Sequence, residues 1–275
     1  MSSNEVYEKH MLRTTGEVSR LNGQFNLISE NLGYQIHPTI GARLPENARI
    51  ADIGTGTANF LIKVAPLYPK GTLHGYDISK SFFPSEVPSN VELSILDARE
   101  PIPEELEGTY DLVHVRMLAM GLLESDWRTV VANLSRLLKP GGALQWEECN
   151  FLAWSEGGFY PESTFQALHT IEKLLIGTFA PRFKIGWNTL AGDMEAAGLA
   201  EVGTEVVGSD RVKSTLGPYT ANSMCVCFQW ARSGKDSIPF NEEELNELEA
   251  QCWRDIGSGG YVRFDIHVNW GFKSL

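Results

Sequence analysis

The stretch IADIGTGTANF, residues 50 to 60, constrains this chain more than any other. Ile50 and Ala51 lead into Asp52, two glycines follow at Gly54 and Gly56, and helix-compatible residues come next. A strand that turns into a helix over glycines lets another group approach the backbone at the start of the helix. The pattern continues: β-rich runs fall at 48–53, 72–77, 91–97, 111–115 and 142–148. Between the last two, Ser125 reads as an N-cap and Val130, Val131, Leu134 and Leu138 as a helical stripe, with Lys139-Pro140-Gly141-Gly142 as its stop. Alternating β and α elements predict a parallel, doubly wound sheet.

The flanks add less regular material. From Glu17 to Leu32, the residues Val18, Leu21, Phe25, Ile28 and Leu32 step three and four apart and Gly33 follows, which predicts a helix lying over the core. Residues 151–196 are dense in aromatics (Phe151, Trp154, Phe159, Tyr160, Phe165, Phe179, Phe183, Trp187) and read as an irregular segment with some helix. A strand is expected near 200–207, and a helix from about 242 with Asn241 as N-cap and three glutamates in its first turn. In the last run Val262, Phe264, Ile266, Val268 and Trp270 alternate with Arg263, Asp265, His267 and Asn269, as in an antiparallel strand with one polar face.

Composition narrows the function classes. A formal charge of −12 with no run of Lys and Arg disfavours nucleic acid as a partner. Cys149, Cys225, Cys227 and Cys252 have no metal-ligand spacing, so no metal site is expected, and reduced thiols fit a cytoplasmic protein. No stretch approaches the roughly 20 apolar residues of a membrane span. Hydrophobic residues at 43% can fill a large core, and 275 residues suit one domain with an insertion.

The spacing of acids identifies the ligand edge. Position 59 is Asn, so the third glycine of the dinucleotide fingerprint is missing, and no P-loop occurs. Asp77 ends the second strand, 21 positions after Gly56, where a carboxylate meets ribose hydroxyls. Asp97, followed by the small Ala98, ends the third strand, where the pair suits an adenine amino group. Asp52, Gly54, Asp77, Asp97, Arg116 and Glu148 all fall at carboxyl ends of strands, the edge at which open α/β sheets bind ligands.

The motifs IADIGTGT, LHGYDIS, LDARE, YDLVHVRM and LLKPGGALQWEE, in this order, resemble those of class I S-adenosylmethionine-dependent methyltransferases over residues 48–148. The leader EVSRLNGQFNLISENLGYQIHP resembles that of fungal secondary-metabolism methyltransferases, including thiomethyltransferases acting on epidithiodiketopiperazines such as gliotoxin. The resemblance implies an α/β, Rossmann-like, seven-stranded sheet with its last strand antiparallel. It divides one domain into an N-terminal helical cover (1–47), a cofactor-binding core (48–148), an acceptor cap (151–196) and C-terminal strands and helix (199–275). It implies S-adenosylmethionine as donor and S-adenosylhomocysteine as product, held by Asp52, Gly54, Thr55, Gly56, Asp77, Ile78, Asp97, Ala98, Val115 and Arg116. Ala58 stands where the family often has its last glycine, which should tighten the helix start.

Several of these residues have plainer readings. Asp52 serves either the hinge backbone or the ligand, and Arg116 either the ligand or an acid such as Glu148. His114 lies in an apolar strand and reads as a satisfied core residue. His169, on the helix of the aromatic segment, is the candidate general base, against the plainer reading of a solvated helix residue. Trp154, Phe159, Phe179 and Trp187 are the candidate walls of an apolar acceptor pocket; packing alone is their other reading. The acceptor is then a small, largely apolar natural product with an S, O or N nucleophile, the thiol of an epidithiodiketopiperazine-like metabolite being the leading case. The absence of Asp/Asn-Pro-Pro-Tyr after the fourth strand argues against a nucleobase. The competing function is a methyltransferase-like regulator or partner subunit of fungal secondary metabolism; a nicotinamide oxidoreductase comes third. The oligomeric state is not legible.

Overall fold

Near-continuous burial along the first, second and fourth strands explains why they are central: parallel strands covered on both faces must be apolar on both. The strands are β1 (Arg49–Ile53), β2 (Thr72–Asp77), β3 (Val91–Ile95), β4 (Tyr110–Arg116), β5 (Leu138–Gly158), β6 (Leu199–Gly208) and β7 (Gly260–Lys273). They form one sheet in the order β3-β2-β1-β4-β5-β7-β6, with β1 to β5 paired in parallel and the last strand antiparallel. The computed structural model describes residues 15–233 and 238–275, leaving aside the side chains at 15, 175 and 178–182. The helices among them are α1 (Thr15–Leu32), α2 (Pro38–Gly41), α3 (Asn59–Val64), α4 (Trp127–Leu137), α5 (Gln166–Phe183), α6 (Leu190–Ala196), α7 (Leu216–Ser233) and α8 (Glu242–Gly257).

The chain packs as two compact units, and β5, β6 and β7 each run through both. The larger unit comprises residues 32–148, 185–206 and 267–275. Its core joins Ala51, Ile53, Val113, Val115, Leu144 and Trp146 of the sheet to Trp127, Val130, Val131 and Leu134 of α4 and to Leu190 and Met194 of α6. The indole rings of Trp127 and Trp146 stack 5.5 Å apart. Val130, Val131 and Leu134 of the predicted stripe are therefore the buried face of α4, whereas Leu138 and the expected stop at 139–142 already belong to β5, because the chain passes from helix to strand without an intervening loop. Its N-cap is Asp126 rather than Ser125, because Asp126 Oδ2 accepts the Leu123 N–H (2.8 Å) and closes the preceding turn.

The other unit comprises residues 149–184 and 207–266 with the segment up to 31. Phe151 lies 5.0 Å from Phe183 and 5.1 Å from Phe264, and Tyr219 packs edge-on to Phe264 at 5.0 Å. Buried Asp255 of α8 caps the first turn of α5, accepting the Ala167 N–H at 2.9 Å and the Thr164 hydroxyl at 2.5 Å. The expected α8 cap is present as a capping box between Asn241 and Glu244. Leader helix α1 buries Ile28 and Leu32, and also two polar residues that an apolar stripe does not reveal. Glu17 is gripped by Arg20 through two hydrogen bonds, and Asn31 donates to Thr215 Oγ1 (2.8 Å) and accepts from Val212 N (3.1 Å). Residues 151–158, expected to be irregular, continue β5 as strand, so the long connection starts eight residues later. Helix α7 had no strong sequence signal: its apolar residues are interleaved with small polar ones that are buried as well, Thr220 and Ser223 among them.

Two glycines make the packing testable. Gly186 has φ +96°, and a methyl there would lie 2.2 Å from the rigid Trp127 ring, whereas Gly192 sits inside α6 with open space around it. Gly186→Ala should lower unfolding free energy by about 3 kcal/mol or more in a urea titration. Gly192→Ala should raise it by about 0.5–1 kcal/mol.

Candidate cofactor-binding site

The glycine hinge is built as its sequence suggests. Backbone φ is positive at Gly54 (68°) and Gly56 (51°), and a Cβ on Gly54 would fall 2.9 Å from Leu118 Cδ1. The hinge is laced to the end of β2: Thr55 N donates to Tyr76 O (2.9 Å), and Gly56 N donates to Asp77 Oδ2 (2.9 Å). The other Asp77 oxygen accepts from Ser79 N at 3.1 Å. Burial raises the Asp77 pKa against the pull of these N–H groups. Ala58 corrects one expectation. It does not tighten the helix start but adopts φ 56°, ψ 22° as the left-handed N-cap of α3, the conformation glycine takes without strain.

Beneath the hinge, one face of three parallel strands carries a buried ladder of polar groups. Asp52 pairs in register with His114, His114 with Gln145, and Arg116 with Glu147. His114 Nδ1 lies 2.7 Å from Asp52 Oδ1, and its Nε2 lies 3.6 Å from Glu147 Oε1. The ring stacks face to face on Phe60 at 3.6 Å. Asp52 Oδ2 accepts the Thr55 hydroxyl at 2.6 Å, so this acid serves the hinge directly. Arg116 Nε donates to Glu147 Oε2, and Gln145 Nε2 to Glu147 Oε1 (2.7 Å). Burial opposes charge on His114, but the hydrogen bond to Asp52 and the attraction of the Asp52 and Glu147 carboxylates raise its pKa above the ordinary imidazole value, although Nε2 makes no hydrogen bond among the described residues. Burial likewise works against charge on Glu147, yet Arg116 and His114 hold its pKa down at about 2.

The expected Arg116–Glu148 pairing is therefore replaced by Arg116–Glu147. Strand alternation is the reason: Glu147 shares a face with Gln145, and Glu148 shares the opposite one with Trp146. Glu148 Oε1 accepts from Leu118 N (2.6 Å), Ala119 N (3.1 Å) and Trp146 Nε1 (3.0 Å). Its other oxygen is buried without a hydrogen-bond partner among the described residues. Burial, with the neighbouring Glu147 charge, raises the Glu148 pKa to about 7. Met117, which opens this loop after β4, has φ 58° and donates its N–H to Glu147 O (2.9 Å). Sequence reasoning offered Glu148 as an acid for Arg116 and missed its hold on the loop after β4; the signal available was an acid two positions after a strand-core Trp, on the same face.

The remaining expected residues are distributed as follows. Both Asp97 oxygens are taken by Arg99, at 2.8 Å from Nε and 2.5 Å from Nη2, and this pairing lowers the Asp97 pKa. Ala98 is buried beside it, with its carbonyl accepting from Asn133 Nδ2 (2.9 Å). Ile78 is 38% exposed at the end of β2, and Val115 is wholly buried in the core. All ten expected cofactor residues belong to the larger unit.

The expected catalytic and acceptor residues are not gathered in one unit. His169 belongs to the other unit, where it is half exposed with Nδ1 3.3 Å from Glu156 and 3.4 Å from Glu172, which matches an ion-paired helix residue. These three donors lie within 4.8 Å of one another. Trp154 packs 6.4 Å from Phe264 inside that unit, and Phe159 is 42% exposed, 5.1 Å from Tyr261. Trp187 is in the larger unit, 4.9 Å from His267, and the Phe179 side chain lies outside the described residues. A cavity of about 710 Å³ in the larger unit, lined by Tyr34, Leu44, Tyr68 and Lys70 among others, opens among the segments that precede β1 and β2, at the edge opposite the hinge.

The geometry agrees with what comparison with known proteins finds. Residues 51–144 match the model of a methyltransferase domain. The chain is 32% identical over 273 residues to the N-methyltransferase sirN of Leptosphaeria maculans, covering 93% of this chain and 91% of that protein. It is 37% identical over 238 residues to the methyltransferase grgD of a Penicillium species (80% and 81% covered). It is 28% identical over 273 residues to the N-methyltransferase gliN of Aspergillus fumigatus (93% of each). In fold it is similar to a Haemonchus contortus phosphoethanolamine N-methyltransferase solved with S-adenosylmethionine, with a TM-score of 0.51 at 15% identity over 90% of this chain and 53% of that one. No helix among the described residues is long and apolar enough to cross a membrane. Taken with the hinge and its acids, the extent of identity to these fungal enzymes means that the chain belongs to the S-adenosylmethionine-dependent methyltransferase family.

Proposed function

We propose that this protein transfers a methyl group from S-adenosylmethionine to a nitrogen of a small, largely apolar natural product. The observation that carries the donor half is the cradle of Gly54, Gly56 and Asp77, in which a buried carboxylate meets the backbone of a left-handed glycine hinge at 2.9 Å. Such a cradle fits the donor: a glycine backbone lets its methionine portion approach closely, and the acid suits its ribose. Asp97 and Ala98 frame the adenine, Ile78 covers it from the end of β2, and Thr55 and Asp52 hold the hinge in shape. Arg116, oriented by Glu147, is the proposed contact to the amino-acid tail, and Val115 backs the strand end from within the core.

Bound there, the donor supplies a methyl group on a positively charged sulfur. The chain aligns the nucleophile and keeps water away, since proximity and orientation alone contribute on the order of 7–11 kcal/mol in well-oriented reactions. Nitrogen replaces the thiol as the favoured acceptor atom because two relatives aligned over nearly their full length, sirN and gliN, are named N-methyltransferases. A neutral amine needs no base before attack and sheds its proton afterwards; an amide needs one along the path. His169, with Nδ1 3.3 Å from Glu156 and 3.4 Å from Glu172, stays the proposed base for that case. The fungal origin of these relatives supports a natural-product acceptor.

Two measurements test this. Asp77→Asn keeps an acceptor for the Gly56 N–H, so the variant should fold, yet calorimetric titration should show S-adenosylhomocysteine binding weakened by about 1–3 kcal/mol. Undiminished binding would remove Asp77 from the ribose site. Incubation with methyl-labelled S-adenosylmethionine and a panel of small amines, cyclic amides and thiols should place the label on nitrogen. Label on thiols alone would restore sulfur as the acceptor atom. Tight donor binding with no transfer to any small molecule would support the regulatory reading.

A further inference from the structure

Outside the hinge and the charged ladder, Glu148 in the larger unit is chemically out of balance. Glu148 is 1% exposed; one of its oxygens takes three N–H donors while the other takes none among the described residues. Two of those donors, Leu118 N and Ala119 N, belong to the loop that begins at the strained Met117. The Leu118 side chain in turn reaches the hinge, its Cδ1 standing 2.9 Å from where a Cβ of Gly54 would be. A single carboxylate therefore connects the end of β5 to the loop after β4 and, through one leucine, to the glycine proposed to meet the donor.

We propose that Glu148 is a positioning residue for methyl transfer, a carboxylate latch that holds Leu118 against Gly54 and so shapes the cofactor cradle. The proposal rests on the cofactor reading of the hinge given above. An ionised acceptor holds N–H groups roughly twice as strongly as a neutral one, so the latch is firm when Glu148 is charged and slack when it is protonated. Its raised pKa puts that change near neutrality. The charged groups around it are few. Glu147 is its strand neighbour, while Arg116 and His114 of β4 and Asp52 of β1 lie on the opposite face of the sheet. Packed on Trp146, α4 brings Asp126 and Arg128, which turn to Leu123 N and Asp193. Residues 117–122 of the loop bring no charge.

The affinity for S-adenosylhomocysteine, titrated calorimetrically between pH 5.5 and 8.5, tests the latch. Wild type should bind about fivefold more weakly at the acid end. Glu148→Gln, which keeps the shape and one acceptor oxygen, should give a flat profile over the same range. Glu148→Ala, which frees both N–H groups, should bind about tenfold more weakly than wild type at pH 8. A wild-type slope retained in Glu148→Gln would assign the titration to another group, such as Asp77, and overturn the latch; so would wild-type affinity in Glu148→Ala. If the alanine variant does not fold, the Leu118 amide resonance of the wild-type protein supplies the readout: it should shift with a midpoint near Glu148's own, and a flat shift overturns the proposal. Absence of S-adenosylhomocysteine binding by wild type at every pH would instead overturn the cofactor reading, with the Leu118 shift still reporting on the latch.

Discussion

The hinge edge of the larger unit depends on one buried electrostatic contact: an imidazole held between the carboxylates of Asp52 and Glu147, with Arg116 on the far side of Glu147. Four ionisable groups, each nearly sealed from water, are tolerated only because each answers another. Removing a single partner from such an array leaves a buried charge uncompensated, at a cost of about 3–5 kcal/mol. The array also has a pH window. The folded state lowers the Glu147 pKa, so its contribution is present above the unfolded value and is lost as pH falls toward about 2. The folded state raises the His114 pKa, so that contribution is full below about 6.5 and fades as pH rises through the folded value. Both act together in mildly acidic to neutral solution.

From this contact the functional edge follows by short steps. Asp52 reaches upward to the Thr55 hydroxyl and fixes the hinge from below, while Asp77 fixes it from the side through Gly56 N. Glu147 orients Arg116, and its carbonyl holds Met117. Rigid strands thus supply the geometry, and the glycines supply access. The division of labour between Glu147 and Glu148 comes from nothing more than the two-residue period of a strand, which sends one acid to the charged ladder and the next to the loop.

Much of this was legible in the chain. The hinge, the placement of Asp77 at a strand end, the burial of His114 and the α8 cap all follow from local patterns, because glycine geometry, strand ends and capping boxes are local physics; Asp97 falls two positions beyond the end of β3, and His114 carries one ring nitrogen without a hydrogen bond among the described residues. What was not legible depended on partners distant in sequence. Arg116 could be assigned an acid but not the right one, since the choice between Glu147 and Glu148 rests on the β4–β5 register. The continuation of β5 through residues 151–158 was hidden because Phe151 and Trp154 are explained by Phe183 and Phe264, which lie far along the chain. Buried Asn31 and Glu17 escaped the apolar stripe of α1 for the same reason: a polar residue looks exposed until its partner is known. The left-handed backbone of Ala58, which the hinge imposes on it, had one signal, the glycine that similar chains carry at this position, and it was read instead as a tighter helix start.

The central contact is open to direct observation. Nitrogen-15 spectra of the protein with labelled histidine report the protonation of each ring nitrogen of His114. The account predicts that the His114 ring, between the carboxylates of Asp52 and Glu147, keeps its second proton to a pH above the ordinary imidazole value. A ring that titrates at or below the ordinary imidazole value would contradict it.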